Sequence, residues 1–251
     1  MSSPSTAVDG TRTWTKTTDR PLRSWRKSAG VWLFAHFVGV PIPWAAARQT
    51  DARALLAHEH ERLLALAAVG ERVPRVIGFD GHTLVTSDVG PTLDLLLFQR
   101  APEERLPLMQ AAAADLAVFH ARGQWHGGAQ ARNITWDGER FARLDFEEPL
   151  VPGLALDMVQ RYDVLQLVLS LARLIEPLGP GAVHAVLQAY AAVDAAQGEA
   201  LRGFIAHLLP RLQWVSRIAA WSRRLDTSRE LMRLRTVLEG MAAFVDDRCS
   251  R

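Results

Sequence analysis

The chain has 251 residues, 49% of them hydrophobic and 22% charged, a balance that supports a folded globular protein and excludes a disordered or collagen-like one. Its one cysteine, Cys249, excludes a disulfide framework and any cysteine-ligated zinc or iron–sulfur centre, and fits a reducing cytoplasm. The net charge of +2 is uneven: the first 50 residues carry seven basic side chains against Asp9 and Asp19, while the remainder is acidic by three charges. That asymmetry predicts an anionic surface, nucleotide or lipid, at the N-terminal end, and no nucleic-acid partner for the chain as a whole.

Residues 4–18 read as a β-hairpin around Asp9-Gly10, with Trp14 and Lys16 two residues apart and therefore on one face of a strand. MSSPSTAVDGT lacks the basic start and apolar run of a secretory signal. Residues 20–48 are basic and then apolar. Their uncharged stretch, Ser28 to Ala47, matches a membrane span in length, but Gly39, Pro41 and Pro43 break it and His36 lies inside it. Thr50 or Asp51 caps a helix running to about Val69, on which Leu55, Leu56, Leu63 and Leu66 form an apolar stripe. Glu59 falls on that stripe, where a carboxylate needs a cation or hydrogen bonds, whereas Glu61 points less inward.

Two short strands, at 75–79 and 82–87, flank the turn pair Asp80-Gly81. An Ala- and Leu-rich helix spans Glu103 to Arg122 and is closed by Gly123. A loop from His126 to Asn133 leads into a third hairpin around Asp137-Gly138, whose second strand ends in Asp145-Phe146. From about Asp157 to Asp247 the pattern is helical, and VLQLVLSLARLI is too apolar all round for a surface helix. Strands early and helices late predict an α+β fold, a small N-terminal sheet lobe with one helix and a larger, mostly helical C-terminal lobe. The boundary falls between 1–92, with residues 20–49 as a basic and apolar insertion, and 93–251.

Four chemistry-bearing elements follow in order: the strand lysine Lys16, the inward helix glutamate Glu59, the loop from His126 to Asn133, and Asp145 at a strand end. Lys16 and Lys27 are the only lysines against 27 arginines, so a lysine kept here points to a task for a compact ammonium. Phosphoryl transfer needs a cation on the nucleotide phosphates, a carboxylate to hold that cation, and oxygen ligands for Mg²⁺. Lys16 with Glu59, and Asn133 with Asp145, supply those two pairs. Taken singly each has an ordinary reading: an exposed strand lysine, a surface helix glutamate, a turn carboxylate. The run His58-Glu59-His60 lacks the helical spacing of a zinc site.

These pieces resemble the bacterial lipopolysaccharide kinase group of the protein-kinase-like superfamily, which contains the Kdo and heptose kinases. The matching segments are WTK, EHERLLALAAVGERVPRVIGFDG, TSDVGPTL at the expected hinge, LAVFHARGQWHGGAQARNITW, RLDFEE and QRYDVLQLVLSLARL, spread over roughly residues 10–175. The resemblance implies a protein-kinase-like bilobal fold and the cofactors ATP and Mg²⁺. It also implies that Lys16 meets the nucleotide phosphates, Glu59 braces Lys16, Asn133 and Asp145 hold the metal, and Asp163 anchors the catalytic loop. The implied acceptor is a hydroxyl of a lipopolysaccharide precursor, glycolipid or sugar.

Two departures stand out. The family's loop reads His-Gly-Asp-x4-Asn, and here the proton-accepting aspartate is replaced by Gly128. Only 15 residues precede Lys16, too few for the usual strands with a Gly-rich phosphate cover. Gln130, Glu147 and Glu148 are candidates to orient an acceptor hydroxyl instead, and Gln130, within the loop itself, is the catalytic candidate among them. The rival expectation is a pseudokinase that binds a protein partner; a nucleotidyl transferase is a third. Residues 20–40, with Arg20, Arg23, Arg26 and Lys27 ahead of Trp32, Phe34 and Phe37, suit peripheral contact with an anionic membrane from the cytoplasmic side.

Overall fold

The structure, a computed structural model, describes residues 3–6, 12–19, 22–148, 150, 153–220 and 228–247. Two compact units are present: Met1–Leu93 with His126–Val159, and Asp94–Trp125 with Gln160–Arg251.

The first unit is built on a four-stranded antiparallel sheet. Strands β1 (Ser3–Thr6) and β2 (Arg12–Thr17) pair with Ser3 opposite Thr15 and Thr6 opposite Arg12; the Asp9-Gly10 turn expected between them lies outside the described residues. Helices α1 (Trp25–Phe37), α2 (Trp44–Arg48) and α3 (Ala52–Ala68) follow, and then strands β3 (Val76–Phe79) and β4 (Thr83–Ser87). The sheet order is β1-β2-β4-β3, so β2 is a central strand with Trp14 opposite Thr86 and Lys16 opposite Leu84. The β3–β4 turn is held by Asp80, whose Oδ1 accepts from the backbone N–H groups of His82 (2.8 Å) and Thr83 (2.6 Å), while Gly81 takes φ +86°.

Helix α3 starts where its cap chemistry dictates. Asp51 Oδ1 accepts from the N–H groups of Arg53 (2.9 Å) and Ala54 (3.1 Å), satisfying two donors that the first turn leaves open. Leu55, Leu56, Glu59, Leu63 and Leu66 are its buried stripe, and Glu61 is exposed. The 28–47 stretch is interrupted as its Gly and Pro content dictates: α1 stops at Phe37, Gly39 turns with φ +81°, and α2 begins at Trp44. Among the described residues no helix is long and apolar enough to cross a membrane.

The hairpin of β5 (Ile134–Trp136) and β6 (Phe141–Arg143) belongs to the same unit as the sheet, although two helices, of 7 and 20 residues, separate it in sequence. Backbone bonds account for this: Thr92 bridges Thr135, Trp136 N–H donates to Pro91 O (3.1 Å), and Arg143 N–H donates to Arg72 O (3.4 Å). Arg72 adds a fork to Asp137 Oδ2 and Arg140 O, both 2.5 Å.

The second unit is helical. It holds α4 (Leu93–Gln99) from Asp94 onward, α5 (Pro102–Ala121), most of α6 (Leu156–Ile175), α7 (Pro180–Ala191), α8 (Ala195–Ala220) and α9 (Arg229–Asp246). The apolar segment expected to be buried is so, with Val164, Leu167, Val168 and Leu171 of α6 inaccessible, as are Met109, Phe119, Val183 and Phe244. Close approach of α9 to α7 depends on Gly240, where a Cβ would lie 2.4 Å from Pro180 O and from Val183 Cβ. The molecule is thus an α+β protein with a small antiparallel sheet and a mainly helical remainder.

Candidate functional site

The centre of the site is the Lys16 ammonium. The β2 register turns Lys16 and Trp14 to one face, and α3 packs its Glu59 stripe toward them. Lys16 Nζ donates to both oxygens of Glu59 (2.6 and 2.8 Å), to Asp145 Oδ1 (2.7 Å) and, longer, to Glu147 Oε1 (3.4 Å). Glu59 is only 3% exposed, so its place on a leucine stripe is stabilised by this ion pair. Burial works against the charged lysine, yet Glu59, Asp145 and Glu147 outweigh it and hold its pKa above the ordinary amine value. For Glu59 burial prevails over the pull of Lys16 and pushes the carboxyl up to about 7. Asp145 is opposite in sense: burial would raise it, but the Lys16 ammonium wins and keeps it well below the usual carboxylate range.

Asp145 does not sit within the strand. β6 ends at Arg143, and Asp145 lies two residues beyond in a left-handed conformation with φ +68°. A non-glycine residue there costs on the order of 1–3 kcal/mol, and such strain persists only where surrounding contacts impose it. Here the contacts around it are the Lys16 bond to its side chain, the Leu144 N–H bond to Asn133 O before it and the Phe146 stack on His126 after it. Beside it Leu144 N–H donates to Asn133 O (2.8 Å), so the hairpin brings Asn133 and Asp145 to the same end, as their positions in the sequence predict.

The loop 126–133 is packed from within. His126 is fully buried, stacks on Phe146 (4.5 Å between centroids, 24° between planes) and accepts from Gly128 N–H at Nδ1 (3.1 Å), a structural role. Asn133 Nδ2 donates to Gly128 O (2.9 Å). Asp163 lies in the second unit, fully buried, with its Oδ2 3.4 Å from Nε2 of His120.

A cavity of about 450 Å³ opens over these groups. Lys16, Glu59, Asn133, Asp145 and Glu147 line its charged part, and Trp14, Val89 and Leu144 line an apolar part. Gln130 is not among the lining residues; its backbone N–H bonds Gly128 O at 2.7 Å. Glu148 also turns elsewhere, to Arg23 (2.7 Å) and Gln49 (3.1 Å), while Glu147 faces the cavity. Asp88 and Arg132 line the cavity too, and nothing in their local sequence marks them, since the chain must fold before the β4 exit and the loop meet.

No family model matches the chain. Over 87 residues it is 34% identical to an uncharacterised protein of Haemophilus influenzae, a stretch that covers 34% of this chain and 36% of that protein. The match thus spans about a third of either length.

Proposed function

We propose that the first unit binds a nucleoside triphosphate with Mg²⁺ and that the protein is a kinase-like phosphotransferase to an alcohol acceptor, of the glycolipid, lipopolysaccharide-precursor or sugar class, working in the cytoplasm. The observation that carries this is one ammonium, Lys16, held at once by a helix carboxylate at 2.6 Å and by the strained Asp145 at 2.7 Å, at the charged end of a half-apolar cavity. An aromatic and aliphatic wall at Trp14, Val89 and Leu144 suits a base, and the ammonium suits the phosphates.

The donor set fits a hard cation. Glu59, Asp145 and Glu147 each offer a carboxylate oxygen, all within 4.8 Å of one another, and Asn133 lines the same cavity. Asn133 and Asp145 would hold the ion, which when bound neutralises phosphate charge. Lys16 orients the nucleotide, and Glu59 keeps Lys16 protonated and in place.

A second assignment, a catalytically inactive pseudokinase that serves as a scaffold for a protein partner, is favoured by one observation: Gly128 stands where the resembled loop carries a carboxylate, and Gln130 does not line the cavity. Thermal unfolding with and without Mg²⁺-ATP tests both. At about a hundred times its Kd the ligand adds about 2.7 kcal/mol, a shift of roughly 5–10 °C, expected in the wild type and lost in Asp145→Asn. Acceptor-dependent ADP release then separates the enzyme from the pseudokinase. The absence of any shift at millimolar Mg²⁺-ATP would end the phosphotransferase assignment and leave the pseudokinase scaffold.

A further inference from the structure

Helix α1 buries the wrong side chains for a helix packed in the ordinary way. A surface helix turns its large apolar residues inward and its small and polar ones outward. In α1 the inward stripe is Ser28-Val31-Ala35, with Ser28 and Ala35 inaccessible and Ser28 Oγ within 3.5 Å of Arg48 O. The opposite stripe, Arg26-Gly30-Leu33-Phe34, faces out at spacings of three and four, with Leu33 60% and Phe34 38% exposed, and Phe37 at the end of the helix is half-buried. Trp25, at the start of the helix, is 65% exposed.

The segment's own charge has one sign. Residues 20–50 contain no aspartate or glutamate and five basic residues, in a chain whose remainder is acidic. Arg23 is taken up by Glu148 and by Ala47 O (3.1 Å), and Gln49 joins the same carboxylate, so the base of the helix is fixed on the segment just after Asp145. Arg26 and Lys27 are exposed in the first turn, next to the apolar stripe.

Thirteen residues make a helix about 20 Å long, too short to span a bilayer and suited to lie in its plane. A second copy is a poor occupant: a two-fold contact would set Arg26 and Lys27 of one chain against the same cations of the other. We infer that α1 is an in-plane docking helix for an anionic phospholipid surface, with Trp25, Leu33 and Phe34 entering the acyl boundary and Arg26 and Lys27 meeting the headgroups. This assignment stands independently of the phosphotransferase proposal.

The test is co-sedimentation of the purified full chain with vesicles of phosphatidylglycerol and phosphatidylcholine, against phosphatidylcholine alone. Binding is expected to the first only, and to weaken with salt as the Debye length falls from about 10 Å at 0.1 M to about 3 Å at 1 M. Each cation near such a surface contributes about fivefold in affinity, so Arg26→Ala with Lys27→Ala lowers binding roughly 25-fold. Trp25→Ser with Leu33→Ser abolishes it, and both pairs keep the wild-type unfolding midpoint because these side chains are exposed, Trp25 by 65% and Leu33 by 60%. Failure of the wild type to bind anionic vesicles, or equal binding to neutral ones, overturns the inference whatever the variants do. So does binding that neither pair of substitutions reduces, or a dimer in sedimentation that Phe34→Ser dissolves.

Discussion

The side-chain amide of Asn133 donates to the carbonyl oxygen of Gly128 at 2.9 Å, tying the proposed metal ligand to the position where the kinase resemblance would put a base. A Cβ at position 128 would lie 3.6 Å from Asn133 Nδ2 and 3.7 Å from His126 Nδ1, ordinary contact distances, and Gly128 does not occupy the left-handed region. Gly128→Asp therefore inserts a carboxylate without backbone strain. A restored general base contributes on the order of 10²–10⁴ in rate, so the variant is expected to accelerate phosphoryl transfer by about 10² or more. An ADP-release assay in which Gly128→Asp folds but gains nothing would count against a kinase ancestry of the loop.

Lys16 neutralises a nest of three carboxylates. Lys16→Met leaves Glu59 buried and unpaired with Asp145 and Glu147 beside it, a loss of about 3 kcal/mol. A divalent cation should return part of that loss, because its charge replaces the ammonium. Urea unfolding with and without millimolar Mg²⁺ or Ca²⁺ measures both effects. An unfolding free energy equal to that of the wild type would show that the ion pair does not support the fold.

Tyr190 carries a pH dependence in the second unit. Burial raises its pKa above the ordinary 10.0, and Asp163 and Asp194 add to the effect. The folded state keeps its phenol proton where the unfolded chain releases it, so this group's contribution is complete below pH 10 and falls as pH rises further, by up to about 1.4 kcal/mol per unit. Its hydroxyl lies 2.8 Å from His120 Nδ1 and donates to Gln197 Oε1 at 3.3 Å. Tyr190→Phe is expected to flatten the alkaline limb of the stability profile, read as the difference between wild-type and variant unfolding on either side of that pH. Identical limbs in the two proteins would contradict this.

Gly240→Ala tests the α7–α9 packing. The added methyl would meet the Pro180 carbonyl and Val183 Cβ at 2.4 Å, and a backbone oxygen cannot swing aside as a side chain does. Overpacking of this kind costs about 1–3 kcal/mol, a drop of several degrees in Tm for a chain of this length. Gly203→Ala, in α8 with nothing near its Cβ, is the control and should leave Tm unchanged or higher.

Much of the local structure was legible because it rests on local chemistry. The turn pairs Asp80-Gly81 and Asp137-Gly138, the Asp51 cap and the Gly123 stop mark element ends by their own hydrogen-bonding and φ preferences, and the elements lie where those signals put them. The inward position of Glu59 was legible too, since helical periodicity alone sets it among the leucines.

The sequence by itself determined the α+β class and most element boundaries, because these follow from a short-range period, cap or turn, whereas it expected one helix beside the sheet where α1, α2 and α3 are found, and placed the third hairpin with the helices. Only the tertiary structure decided that Lys16 answers to three carboxylates rather than one, that Glu147 faces the cavity while Glu148 turns to Arg23, and that Gln130 stays outside it. Neighbouring residues in irregular backbone have no period to assign their directions, which are set by contacts made between residues as far as 131 positions apart.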